Sequence, residues 1–308
     1  MSLHGLVRQK TLKNTIRCRG TALHSGDRVA MAFHPAAPGT GIVFRRSDRA
    51  GASLRADWRH VRESMLCTTI DDGAGLTVAT IEHVMAALAG LEIDNAVIEL
   101  DGPEIPVMDG SAAEFVFLIE CAGIVEQDAP RRAIEIVKPV RIADGAKSAA
   151  LLPSDGMSIS LTIDFTAAAI KRQTLRWELD AETFKDEIAS ARTFGFLDDV
   201  NALRAAGLAR GGSMENAIVI GDGRVLNRDG LRFPDEFVRH KILDALGDLY
   251  LAGAPLIGHF SGTRSGHAIN RQALEALFAD RSAYRIVPMR RAESAEFDWQ
   301  AGKRRATA

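Results

Sequence analysis

In the stretch Arg239-His240-Lys241-Ile242-Leu243-Asp244-Ala245-Leu246-Gly247-Asp248, the residues His240, Asp244 and Asp248 recur at every fourth position. On a helix they share one face, drifting by about 40° per step. Val238, Ile242, Leu246 and Leu249 mark an apolar side, with Leu243 and Tyr250 beside it. This period predicts a helix over 237–251 with little circumference left for water. Charges on such a helix are costly unless they are paired or hold a metal. An imidazole one turn from a carboxylate can seat a zinc-sized cation, although a solvated face with a modest His–Asp pair has the same spacing.

Outward from this helix, strand-like runs cover 255–260, 159–165, 149–152 and 133–137, and helical spacing covers 181–191 and 271–278. The first half has the same loose order. Strands are expected at 28–33, 41–45 and 95–100, and helices at 81–91 and 111–121, with Thr80 as an N-cap for the first helix. The polar stretch Glu126 to Arg132 suits a junction, which predicts an N-terminal domain over 1–127 and a C-terminal domain over 128–308. The expected fold class is α+β, a duplicated unit of small sheet plus helices. Between Thr193 and Arg232 lies a glycine-rich region without clear period, expected to be an irregular functional insert.

Composition narrows the function. With 308 residues the chain has length for about two domains. Lys and Arg (38) nearly balance Asp and Glu (40), so there is no broad positive field for nucleic acid or an anionic membrane, and a polyanionic substrate must be met by local cations. Three cysteines without a CxxC pair make no disulfide framework, no stretch approaches the roughly 18 apolar residues of a membrane span, and the first residues lack an apolar signal core. A cytoplasmic monomer with no membrane insertion and no nucleic-acid partner is expected.

A further metal ligand must come from elsewhere, and Glu82-His83 leads. The pair opens an alanine-rich helix (Ala86, Ala87, Ala89) that allows another element to approach closely. His83 can ligate while Glu82 reaches an activated water, though a glutamate in a first helical turn also simply suits the macrodipole. Two histidines and one aspartate would leave a zinc position open. His267, in the glycine-flanked turn Ser261-Gly-Thr-Arg-Ser-Gly-His267, can come near a substrate. Cys67 reads as a buried thiol, and His24 as a ligand or a turn residue alike.

Several segments together are more specific: Gln9-Lys-Thr-Leu-Lys13, Leu23-His-Ser-Gly26, Met65-Leu-Cys-Thr68, Thr80-Ile-Glu-His83, Ile93-Asp-Asn95 and Glu104-Ile-Pro-Val-Met-Asp-Gly-Ser-Ala112. Ala191-Arg-Thr-Phe-Gly-Phe196, Val225-Leu-Asn227, Phe237-Val-Arg-His-Lys241 and Ser265-Gly-His267 follow in order. The chain thereby resembles the zinc-dependent UDP-3-O-acyl-N-acetylglucosamine deacetylases of Gram-negative lipid A synthesis. The resemblance implies two similar α+β domains, helical layers packed between their sheets, an insert in each, and one Zn2+ per chain in the cleft. Fe2+ suits the same donors.

By the same resemblance, His83, His240 and Asp244 would hold the metal, Glu82 would be the general base, His267 the general acid and Asp248 its charge partner. Thr193 would stabilise the oxyanion, and Lys241 would add positive potential. Phe194, Leu197, Val200, Ala217 and Val219 would line an acyl passage, or else form the small core of the insert. Lys241, Arg264 and Lys147 would be the candidate cations for a UDP diphosphate, with a plain surface role as the competing view for Arg264 and Lys147. Ala22 and Glu114 depart from the family pattern, away from the chemistry. The implied partner is a small acylated UDP-sugar, deacetylated in the committed step of lipid A synthesis. A metal hydrolase of another amide or ester, a non-catalytic nucleotide-sugar module and an RNA-binding module are the rival readings.

Overall fold

The computed structural model describes residues 5–64 and 66–290. His4, Met65 and the outer ends of the two expected domains therefore lie outside the described residues. Alternating burial defines the central strand of each half. Ala96, Ile98 and Leu100 are buried in Ala96–Leu100, and Leu256, Gly258, Phe260 and Gly262 in Leu256–Thr263. Period-two burial of this kind turns one face of a strand to a core.

Each central strand has the same neighbours. Around Ala96–Leu100 the spatial order is Ile16–Thr21, Arg28–Pro35, Ala96–Leu100, Ile42–Arg46, Ala52–Arg55, antiparallel to the strand before it and parallel to the one after. Around Leu256–Thr263 it is Val140–Asp144, Lys147–Leu152, Leu256–Thr263, Met157–Asp164, Arg172–Glu178, with the same senses. Arg132–Ile136 and Tyr284–Pro288 extend the second sheet to seven strands.

Six helices accompany these sheets among the described residues: α1 (Glu82–Gly90), α2 (Ala113–Ala122), the single turn α3 (Ala181–Thr183), α4 (Leu197–Ala205), α5 (Glu236–Tyr250) and α6 (His267–Ala279). Leaving aside Arg8–Leu12 in the first half and Arg132–Ile136 and α3 in the second, each half runs in chain order through the four outer strands of its central sheet, an insert, a helix (α1 or α5), the central strand and a last helix (α2 or α6). The first insert is the sheet Val61–Arg62, Thr69–Asp71, Thr77–Val78, and the second is Phe194–Phe196, α4, Ile218–Gly221, Arg224–Val225. The α+β class and the repeated order thus follow from the strand pairing itself. No helix among the described residues is long and apolar enough to cross a membrane.

The equivalent helices α1 and α5 pack on one another at the centre, and every residue of α1 is buried. At Gly247 the two helices approach so closely that an added Cβ would stand 2.0 Å from the Glu82 carbonyl oxygen. Small residues of α1 permit this approach, but the decisive one is the glycine on α5.

Three expectations of local structure are revised. Thr80 does not cap α1: it sits at φ 59°, the helix has no side-chain cap, and the Thr80 hydroxyl donates to Glu104 instead. The helix expected over 181–191 is the turn α3 running into a π-helical segment Phe184–Ile188, with Phe184 buried over Gly90. The insert after Thr193 is a β-α-β-β unit whose strands Phe194–Phe196 and Ile218–Gly221 pair in parallel. The polar stretch after Glu126 lies mostly within a strand, Ile124–Pro130, antiparallel to Arg8–Leu12.

Candidate metal centre and acid–base pair

Helix α1 begins at Glu82, so Glu82 and His83 are presented where Gly247 lets α5 pass. The His83 and His240 rings meet edge to face, with centroids 5.0 Å apart. Their Nε2 atoms lie 3.5 and 3.3 Å from Asp244 Oδ1. One ligand atom from each of the three residues falls within 4.8 Å of the others, and all three residues are buried. Asp244 Oδ1 has no hydrogen-bond partner among the described residues, while Oδ2 accepts a 2.6 Å hydrogen bond from Lys241 Nζ.

The Ala191 carbonyl lies 3.1 Å from His240 Nδ1. Donation from Nδ1–H to that carbonyl leaves the Nε2 lone pair aimed at Asp244, the usual way a ligating histidine is oriented. Burial drives the His240 imidazole down to about 3, so it is neutral near pH 7. Burial alone would raise the Asp244 carboxyl, but His240 and Lys241 hold it well below the usual carboxylate range. Burial would likewise lower Lys241, and the adjoining Asp244 carboxylate outweighs it and keeps the ammonium charged. Two imidazole nitrogens converging on an orphaned carboxylate oxygen fit a divalent cation of the zinc type, because a buried oxygen is otherwise costly to leave unpaired.

Beside this cluster lies a second one. Glu82 Oε2 accepts the Thr68 N–H at 2.9 Å, and Oε1 is 3.9 Å from His267 Nε2. Burial pushes the Glu82 carboxyl up. His267 Nδ1 donates to Asp248 Oδ2 at 2.8 Å, an oxygen that also accepts from Asn270 at 2.8 Å. Burial would lower the His267 imidazole, but the Asp248 charge and hydrogen bond raise it to about 10. His267 is the first residue of α6 rather than part of the preceding turn. A helix N-terminus disfavours a cation, so Asp248 must override that as well.

Asp248, the last of the three residues spaced by four on α5, thus turns to His267 and away from the metal cluster. Lys241 is engaged by Asp244. The Thr193 amide donates to the Gly110 carbonyl and its carbonyl accepts from Ile218, while its hydroxyl makes no hydrogen bond among the described residues. Phe194 packs edge to face on Phe165 and Phe237, with a wider contact to His240. Val219 lies opposite Gly195 in the register, Val200 and Ala217 are half-buried, and Leu197 is exposed at the start of α4. Arg264 is bound to Asp164 at 2.6 Å. Lys147 opens the strand whose Ser148 lies opposite Thr263, so both cations share the sheet end that leads into His267.

Cys67 is buried, with its thiol pushed up by burial, and it is not among the metal-cluster residues. His24 Nδ1 and Nε2 are buried without hydrogen-bond partners. The sequence reading overlooked Thr68 as a bridging residue, the Ala191 carbonyl, Asn270 and Gly247. Thr68 and Ala191 stood at the ends of quoted motifs, and a glycine inside an apolar helix was a signal of close packing for Gly247.

Residues 9–279 match a family described as UDP-3-O-acyl N-acetylglycosamine deacetylase. A relative from Acidithiobacillus ferrooxidans, named UDP-3-O-acyl-N-acetylglucosamine deacetylase, is 52% identical over 92% of this chain and 93% of its own length. Relatives of the same name from Shewanella frigidimarina and Haemophilus influenzae are 49% and 47% identical over the same shares.

Proposed function

Because the chain belongs to the UDP-3-O-acyl N-acetylglycosamine deacetylase family, we propose that it removes the N-acetyl group of a UDP-3-O-acyl-N-acetylglucosamine in lipid A synthesis, as a zinc-dependent cytoplasmic enzyme. The observation that carries this reading is the convergence of His83 and His240 on the orphaned carboxylate oxygen of Asp244, with Glu82 and His267 beside it. These three residues would hold the zinc. When bound, zinc supplies a Lewis acid that polarises the amide carbonyl and brings the pKa of a water toward about 7.

The chain's own groups then divide the remaining work. Glu82, with Oε2 tied to Thr68, takes the proton of the attacking water through Oε1. The Thr193 hydroxyl donates to the carbonyl oxygen as negative charge builds there. His267, kept cationic by Asp248, protonates the leaving nitrogen, which an amide needs before its C–N bond can break. Lys241 steadies Asp244, and the products are acetate and the free amine.

The 3-O-acyl chain would run along the face of the second insert that carries Phe194, Leu197, Val200, Ala217 and Val219. Each buried methylene there contributes roughly 0.8 kcal/mol. Arg264 and Lys147 would meet the diphosphate. The test is acetate release from the acylated UDP-sugar by purified protein, lost on chelation and restored by zinc. A chelator-resistant activity, or none with zinc present, refutes the proposal.

A further inference from the structure

We propose that Thr68 is the positioning residue that holds the two proton-transferring groups of this site in register. The proposal rests on the deacetylase reading above. All three polar groups of Thr68 are engaged. Its amide donates to Glu82 Oε2 at 2.9 Å, its hydroxyl donates to Asp248 Oδ1, and its carbonyl accepts from the Ile81 amide at 3.2 Å. Its Oγ1 also lies 3.0 Å from His267 Nδ1. The residue is 3% exposed and sits at the entrance to strand Thr69–Asp71 of the first insert, while Asp248 is 180 residues away on α5.

The consequence is geometric. With Oε2 tied down, Glu82 presents Oε1 toward His267 Nε2. With Oδ1 tied down, Asp248 presents Oδ2 to His267 and Asn270. A single residue from the first insert thereby orients both the carboxylate that accepts a proton and the one that aims the donor. Thr68 acts only through these groups. Loss of its hydroxyl leaves a buried carboxylate oxygen without its donor and frees the Asp248 plane to turn.

The experiment compares zinc-loaded wild type with Thr68→Val, which deletes the hydroxyl and keeps the amide, and Thr68→Ser, which keeps both. Acetate release, bound zinc and the downfield His267 imidazole N–H resonance are measured for each. The Val variant should lose about 10- to 100-fold in kcat, as a small misalignment of reacting groups does. Its KM and zinc content should be unchanged and its imidazole proton broadened, while the Ser variant stays close to wild type. If the Val variant does not fold, Thr68→Ala takes its place against Ser. An active wild type beside an equally active Val or Ala variant overturns the proposal, as does a Ser variant as slow as the Val one or a loss confined to KM. A wild type that releases no acetate overturns the deacetylase reading itself, and this proposal with it.

Discussion

Replacing Asp248 with asparagine keeps the shape of the side chain and deletes its charge, which isolates what holds His267 cationic. The rise from 6.5 to about 10 corresponds to about 5 kcal/mol of preference for the imidazolium, in a buried setting that by itself favours the neutral ring. Without the Asp248 carboxylate, burial remains and only the weaker pull of the Glu82 and Asp244 charges opposes it, so His267 should titrate well below its wild-type value. At pH 7.5 the cationic fraction then drops from nearly complete toward about one tenth if His267 returns to its ordinary value. Acetate release should fall several-fold, up to about tenfold, at that pH, and the basic limb of its pH profile should move to lower pH.

Stability reports the same quantity with a fixed sign. A group whose pKa is raised on folding contributes stability that is full below its unfolded value, near 6.5, and is lost as pH rises through its folded value, near 10. The stability gap between wild type and Asp248→Asn, from urea unfolding, should be widest at and below about pH 6.5 and close toward pH 10. Coincident basic limbs for the two proteins, or a gap that widens with pH, would refute the assignment of Asp248 as the source of the His267 charge.

Glu82→Gln preserves size and removes the proton acceptor. It should lower kcat by about 10²- to 10⁴-fold with zinc content intact, and a variant within a few-fold of wild type would exclude Glu82 as the base. Gly247→Ala places a methyl against the Glu82 carbonyl, a backbone atom that can yield only if α1 shifts. It should destabilise the protein by about 1–3 kcal/mol in urea and weaken zinc binding together, and an unperturbed variant would contradict the close crossing.

Elements with a buried face were legible because burial imposes a period. The four-residue spacing of α5 and the alternation of Leu256–Thr263 both come from one side packing inward. The strands Arg8–Leu12 and Ile124–Pro130 carry little such signal, since most of their residues are half-exposed and their partners lie more than a hundred residues apart. Arg172–Glu178 buries only Trp177 and reads as polar chain. The helical period over 181–191 was real, but the seating of Phe184 over Gly90, a contact between distant segments, accompanies a π-turn that no local pattern announces. The candidate site divides the same way. Ionisable residues name themselves, whereas the Ala191 carbonyl and the Thr68 amide are backbone groups that every residue possesses.

The repeated fold explains why the chemistry assembles where it does. The helices α1 and α5 occupy equivalent places in the two halves, and their crossing puts a histidine from each beside Asp244. The inserts are equivalent too: the first bonds Thr68 to Glu82 and Asp248, and the second begins just after Ala191, whose carbonyl orients His240. The likeness ends at the last helices. α6 opens with His267, whereas α2 opens with Ala113. Hydrolysis of an amide needs a proton on one side only, at the leaving nitrogen, so a single acid suffices and a second would be a buried cation without a task. On the proposed mechanism, the sugar nitrogen must therefore lie on the α6 side of the metal cluster, with the Thr193 hydroxyl left to the carbonyl oxygen.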